Sequence, residues 1–329
     1  MPFAVLNPGG RDAYQTFPSA AGSPNDPGHA PINYHAYAAC VRGAFARDVR
    51  EIPPTVTAVL VLLRRNGLDA ALEAVNTLRE REVRTLVSWK ESGLHQVSDA
   101  LNDARRYAKF AEICRAADGY LASTPELMAL YESAGSRRGE FLPTPYPIEA
   151  PAWNFSAPIS DRSGIFIGTR EFDIPSRNHL LAVATASRLS QRVTVVNTDG
   201  RRGERLLQSI SPSLRILAGP LPYPEYLREM ARHRIVFQLD RSAVPGQVAG
   251  DALLARVICV GGDGAVERMA FPDTSGLGRT PEQLSAIASS LLADEATYRH
   301  ALTQVESTAS RTLSFSAVAE KLQKFLGGL

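Results

Sequence analysis

Cysteine is scarce: Cys40, Cys114 and Cys259 are the only three, and none falls in a Cys-x-x-Cys spacing. That argues against a disulfide framework and a structural zinc site, and for a reducing, cytoplasmic setting. Charge of one sign is not in excess. Lys plus Arg number 36 and Asp plus Glu 34, a net of +2, which gives no global attraction to nucleic acid. Long apolar runs are missing too, so no transmembrane segment is expected, which leaves peripheral membrane contact open. The first residues, Met1 to Leu6, carry no basic stretch and reach Pro8-Gly9-Gly10 at once, which does not fit a signal peptide. Gly-x-Ser-x-Gly, His-Glu-x-x-His, P-loop and Asp-x-Asp patterns are all absent.

What is present is an alternation of short apolar runs with helical patterns. Phe3 to Leu6, Val56 to Leu63, Val83 to Ser88 and Gly119 to Ala122 read as buried strands. Between them, helices are expected over 33–50, where Tyr37, Val41 and Phe45 recur every four residues, over 68–81, and over 94–110. Thr124 before Pro125 reads as a helix cap. Residues 143–163 hold five prolines and read as a linker. The rhythm then restarts with strands at 164–168, 193–196, 215–217, 235–239 and 257–260, separated by helices. Further helices are expected over 281–294, 296–309 and 316–325. Such alternation implies parallel sheet, so the fold class is α/β with two doubly wound, Rossmann-like domains. The expected division is 1–150, 151–312, and a last helix over 313–329.

In such sheets ligands bind beyond the carboxyl ends of the strands, where Gly9-Gly10, Gly168, Gly219-Pro220 and Gly261-Gly262 fall. Gly168 and Arg170 end a strand, and Arg177 opens the next helix. Together they would clamp a diphosphate through guanidinium groups and backbone N–H groups, although two solvated surface arginines would read the same way. Gly246-Gln247 starts another helix with free N–H groups, and Asp251 one turn in could accept two ribose hydroxyls. Its alternative is simple complementarity to the helix dipole. Gly9-Gly10 departs from the Gly-x-Gly-x-x-Gly fingerprint and can equally be a tight turn. Trp89-Lys90-Glu91 follows a strand, with His95 beyond it. Trp89 could stack on a sugar, Lys90 could bind hydroxyls or phosphate, and Glu91 or His95 could serve as a base. An ion pair and an exposed histidine are the plain alternatives. His35, at the head of the 33–50 helix, could reach a cleft rim or simply be a first-turn polar group.

This plan resembles glycosyltransferases of the GT-B fold, two Rossmann-like domains facing across a cleft. The resemblance spans nearly the whole chain and is specific mainly in its second half. Phe166-Ile167-Gly168-Thr169-Arg170 with Arg177-Asn178 is similar to the family's Gly-Arg strand end and Lys-Gly helix start, which hold the donor diphosphate. Gly219-Pro220 resembles the loop framing the nucleobase. Asp251-Ala252-Leu253 through Gly261-Gly262 resembles the segment whose carboxylate binds the donor ribose. Pro143 to Pro147 resembles the interdomain hinge, and the last helix would cross back to the first domain. Retaining members carry Glu, seven residues, then Glu. With Asp251 in the second place, the first falls on Ala243, and the family's His-Asp acceptor loop is replaced by Trp89-Lys90-Glu91.

The resemblance implies a metal-independent glycosyltransferase with no bound cofactor, using a nucleotide-diphosphate sugar as co-substrate. Gly9, Gly10, Gly168, Arg170, Arg177, Pro220, Gly246, Gln247 and Asp251 would serve the donor. His35, Trp89 and Lys90 would serve a glycan, protein or small-molecule acceptor, with Glu91 and His95 as catalytic candidates. A sugar-nucleotide epimerase of the same plan, or a binding protein without chemistry, would fit the same residues.

Overall fold

The structure is a computed structural model that describes residues 2–26, 28–89, 93–168, 172 and 174–329. The chain divides into two compact units. The first comprises 1–149, 243–245 and 313–329, and the second comprises 150–242 and 246–312.

The first unit is built on a seven-stranded sheet of β1 (Phe3–Leu6), β2 (Gln15–Thr16), β3 (Ala44–Ala46), β4 (Ala58–Leu63), β5 (Arg84–Trp89), β6 (Gly119–Ala122) and β7 (Gly139–Phe141). The order is β2-β3-β1-β4-β5-β6-β7, parallel except for β2. The apolar run of β4 is buried throughout because both sheet faces are covered. Successive side chains alternate. Ala58, Leu60 and Leu62 join Phe3, Val5 and Leu86 in one core, and Val59, Val61 and Leu63 join Val87 and Trp89 in the other. The second core is closed by the helix Leu68–Glu80, whose Leu68, Ala71, Val75 and Leu78 recur at three and four residues and form one apolar stripe. The first is closed by the helices Asn33–Cys40 and Phe315–Gly327. That last segment is tied down by polar bonds as well. Tyr146 N–H donates to Leu313 O at 2.8 Å, Arg84 Nη1 to Leu326 O at 2.6 Å, and Lys321 Nζ to Phe141 O at 2.7 Å.

The helix expected over 33–50 stops at Cys40, and Ala44–Ala46 is a strand beside β1. Arg42 takes a left-handed φ of 56°, which ends the helix. Phe45 still reaches the same core as Tyr37, but from the sheet, so the spacing of four imitates a longer helix. The helix expected over 94–110 is two, Leu94–Ala100 and Ala104–Ala116, separated where Asp103 accepts from Arg106 N–H at 2.9 Å. Thr124 gives no side-chain cap; its buried Oγ1 has no hydrogen-bond partner.

The second unit has five parallel strands, β8 (Ile165–Ile167), β9 (Val193–Asn197), β10 (Arg215–Ala218), β11 (Ile235–Phe237) and β12 (Ile258–Val260). Their order is β10-β9-β8-β11-β12. Chain order reverses between β8 and β11, so the crevice at their carboxyl ends is the topological switch point where such sheets take ligands.

Candidate functional site

Two loops meet at that switch point, one after β8 and one after β11. The first runs through the turn Pro175–Arg177 to Asn178, which takes a left-handed φ of 48° and starts the helix His179–Leu189. The second is Gln238 to Ser242. Asn178 Nδ2 donates to Leu239 O at 2.9 Å, Arg241 N–H to Ser176 O at 2.8 Å, and the Ser176 and Ser242 hydroxyls are 2.8 Å apart. Arg177 Nη1 forms an ion pair with Asp240 Oδ2, the two side chains being 17% and 4% exposed. Asp240 Oδ1 accepts from Ser242 N–H at 2.7 Å, so Arg177 is held by a carboxylate that is itself fixed.

The helix Gln247–Leu254 begins beside them. Gly246 precedes it with φ 94°, a conformation that side-chain-bearing residues avoid, and a Cβ there would overlap Glu267 Oε2. The first turn packs on the end of β8, where a Cβ at Gly168 would stand 2.8 Å from Val248 Cγ1 and 2.9 Å from Tyr226 Oη. Glycine at that strand end is what lets the helix start come this close. Asp251 is buried and accepts from the Tyr223 hydroxyl at 2.6 Å. Tyr223 opens the helix Tyr223–Ala231, which follows Gly219 and the exposed Pro220.

Beneath this edge lies Glu267, 2% exposed, with Oε1 accepting from Gln238 Nε2 at 2.8 Å. Burial pushes its carboxyl up to about 8, and the nearby Asp240 and Asp263 add to the rise. Burial likewise lowers His179 to about 4. A pocket of about 240 Å³ opens at the ends of β11 and β12, lined by Asn178, Asp240, Arg241, Gly262 and Arg279 among others.

Of the donor residues expected from sequence, the second unit brings Gly168, Arg177, Gly246, Gln247 and Asp251 to one edge of its sheet, with Pro220 on the exposed loop before the helix that carries Tyr223. Arg170, Lys90 and Glu91 lie outside the described residues. In the first unit Gly9 and Gly10 form the turn after β1, where Gly10 N–H donates to Asn7 O at 2.9 Å and Arg64, from the end of β4, bonds to Pro8 O. His95 is exposed on the helix Leu94–Ala100.

Two acceptor expectations need correction. Trp89 is 1% exposed and packs on Phe110 in the core, with ring centroids 5.6 Å apart, so it has no free face for a sugar. His35 is 3% exposed, its ring stacked between His29 at 4.1 Å and Phe45 at 3.8 Å, so it is not a rim group. Sequence reasoning passed over Gln238, Asp240 and Glu267. A polar pair just past β11 and an acid after Gly261-Gly262 were the available signals. Among the described residues no cluster of His, Cys, Asp or Glu is arranged to hold a metal ion, and no helix is long and apolar enough to cross a membrane.

These two units with their parallel sheets define a class: the chain has the GT-B fold of glycosyltransferases. A solved structure of HepE from Anabaena, in complex with UDP and glucose, is similar at 12% identity, covering 83% of this chain and 78% of that one with a TM-score of 0.59. The trehalose-6-phosphate synthase OtsA is similar at 10% identity, 93% and 80% coverage and a TM-score of 0.62. The α,α-trehalose 6-phosphate synthase of Burkholderia multivorans is similar at 11%, with 91% and 78% coverage and a TM-score of 0.59. No family model matches the sequence, and no curated protein matches it either.

Proposed function

We propose that this chain transfers a sugar from a nucleoside-diphosphate sugar, held at the carboxyl edge of the second sheet, to a separate acceptor. The observation that carries this is the Arg177–Asp240 pair, set at the switch point beside the amino end of the helix Gln247–Leu254. Arg177 and N–H groups at the start of that helix would take the two phosphates, with Arg170 as a second guanidinium. As the sugar–oxygen bond breaks, negative charge builds on the departing diphosphate. Fixed donors already aimed at it stabilise that charge without reorganising and without a metal ion. Asp251, oriented by Tyr223, would accept the ribose hydroxyls. Glu91 and His95 stay the candidate bases, and Lys90 the acceptor-side cation. HepE was solved with UDP and glucose, and a similar structure from E. coli was solved with UDP-2-fluoro glucose bound, so a uridine nucleotide sugar is the first donor to test.

The test is thermal stabilisation by UDP, GDP and dTDP. A shift with one of them that is reduced in Arg170→Ala and in Arg177→Ala supports the proposal. No shift with any of the three removes it. Ala243, which offers no carboxylate where the family's retaining members have one, favours a second reading as a nucleotide-sugar binding protein. Tight binding without turnover across an acceptor panel would select that reading.

A further inference from the structure

Glu267 is a buried acid with no part in the donor binding proposed above. It lies in the helix Ala265–Ala270, after the turn at Gly261-Gly262, and reaches back under three segments. Oε1 is bonded to Gln238 at the end of β11 and lies 2.9 Å from where a Cβ of Gly262 would stand. Oε2 fills the place a Gly246 side chain would need and has no hydrogen-bond partner. One carboxyl group therefore touches the end of β11, the turn after β12 and the amino end of the helix Gln247–Leu254. An unsatisfied, fully buried oxygen at such a junction calls for an explanation.

We propose that Glu267 is a positioning residue that works as an uncharged carboxylic acid, setting the Gly246 helix start and the Gly262 turn for an anionic ligand, and that its ionisation weakens that ligand's binding. The inference rests on the donor site proposed above. A negative charge under Gly246 would stand against the diphosphate that the same helix start is to receive.

The surroundings agree with an uncharged state. Burial is the largest influence, and Asp240 and Asp263 oppose a third negative charge. The Cys259 sulfur accepts from Gln238 Nε2 at 3.3 Å, and its thiol is held protonated by burial. Arg177 is engaged by Asp240, and no N–H of the helix Gln247–Leu254 is bonded to Oε2. That helix contributes one titratable side chain, Asp251, held by Tyr223. The packed helix Glu295–Thr312 contributes buried Tyr298, which bonds to Arg162.

The experiment has two arms on the full chain, wild type against Glu267→Gln. In the first, urea midpoints are measured without ligand from pH 5 to 9. A carboxyl whose folded value is raised to about 8 keeps its proton in the native state after the unfolded chain has lost it, so it lowers stability steadily up to pH 8 and not beyond. Glu267→Gln is expected to remove this fall; parallel profiles overturn the proposal. In the second, UDP affinity is titrated over the same range. Wild type is expected to weaken above pH 8 by up to roughly tenfold per unit, and Glu267→Gln to stay flat over that range. An equal loss in both overturns the proposal. Asp263→Asn, which removes one opposing carboxylate, should move the wild-type midpoint to lower pH, and an unmoved midpoint counts against the proposal even if Glu267→Gln folds poorly. Absence of UDP binding at every pH removes the donor reading together with the ligand clause. Parallel stability profiles with normal UDP binding remove the Glu267 inference alone.

Discussion

Arg177 and Asp240 are 63 residues apart in sequence and form an ion pair that ties the loop after β8 to the loop after β11. The pair is mostly buried, and Ser242 N–H fixes the carboxylate from the other side. A guanidinium held this way needs no reordering to meet a phosphate, so its side-chain entropy is already spent.

Gly246→Ala is expected to destabilise the second unit by about 2–3 kcal/mol, from a positive φ and an overlap with Glu267 Oε2 together. The loss should appear as a lower urea midpoint with weaker UDP binding. An unchanged midpoint would mean the helix start is not constrained as described.

Trp89→Ala is expected to cost about 3–5 kcal/mol of stability, because it opens a large cavity against Phe110 and Tyr131. UDP affinity of the folded fraction should be unchanged. A selective loss of binding with normal stability would make Trp89 a ligand contact after all.

Stability should fall as the solution is acidified from pH 6.5 toward 4. Burial lowers both His179 and His233 from 6.5 to about 4. Between those values the unfolded chain binds two protons that the native chain refuses, so stability rises with pH. Glu267 acts in the opposite sense up to about 8. These three groups together place the stability maximum near pH 6.5. Urea midpoints across pH 4.5–8.5 measure it, and His179→Phe with His233→Phe should flatten the acid limb.

Much of the sheet architecture was legible because strands covered on both faces become plain apolar runs, as in β4 and β11. β3 was not, since its three residues continue the four-residue spacing of the preceding helix; β2 has only two residues, and β7, Gly-Glu-Phe and half-buried, is not an apolar run. At the site, Arg177 was legible from a glycine-ended strand followed by a basic helix start. Asp240 and Glu267 were not, because their importance comes from burial and from partners distant in sequence. Trp89 misled for a related reason. It pairs in register with Leu63 and turns inward with it, and a residue name at a strand end does not reveal which face it takes.

The most direct measurement is calorimetric titration of UDP into wild type, Arg177→Ala and Asp240→Asn. A lost charge-assisted contact of about 1.5–3 kcal/mol corresponds to a weakening of roughly ten- to a hundredfold in Arg177→Ala. Asp240→Asn, which loosens the hold on Arg177, should bind UDP more weakly than wild type, though less so than Arg177→Ala, and should be less stable. If Arg177→Ala binds UDP as wild type does, the diphosphate does not sit at this edge, and the account of the site is wrong.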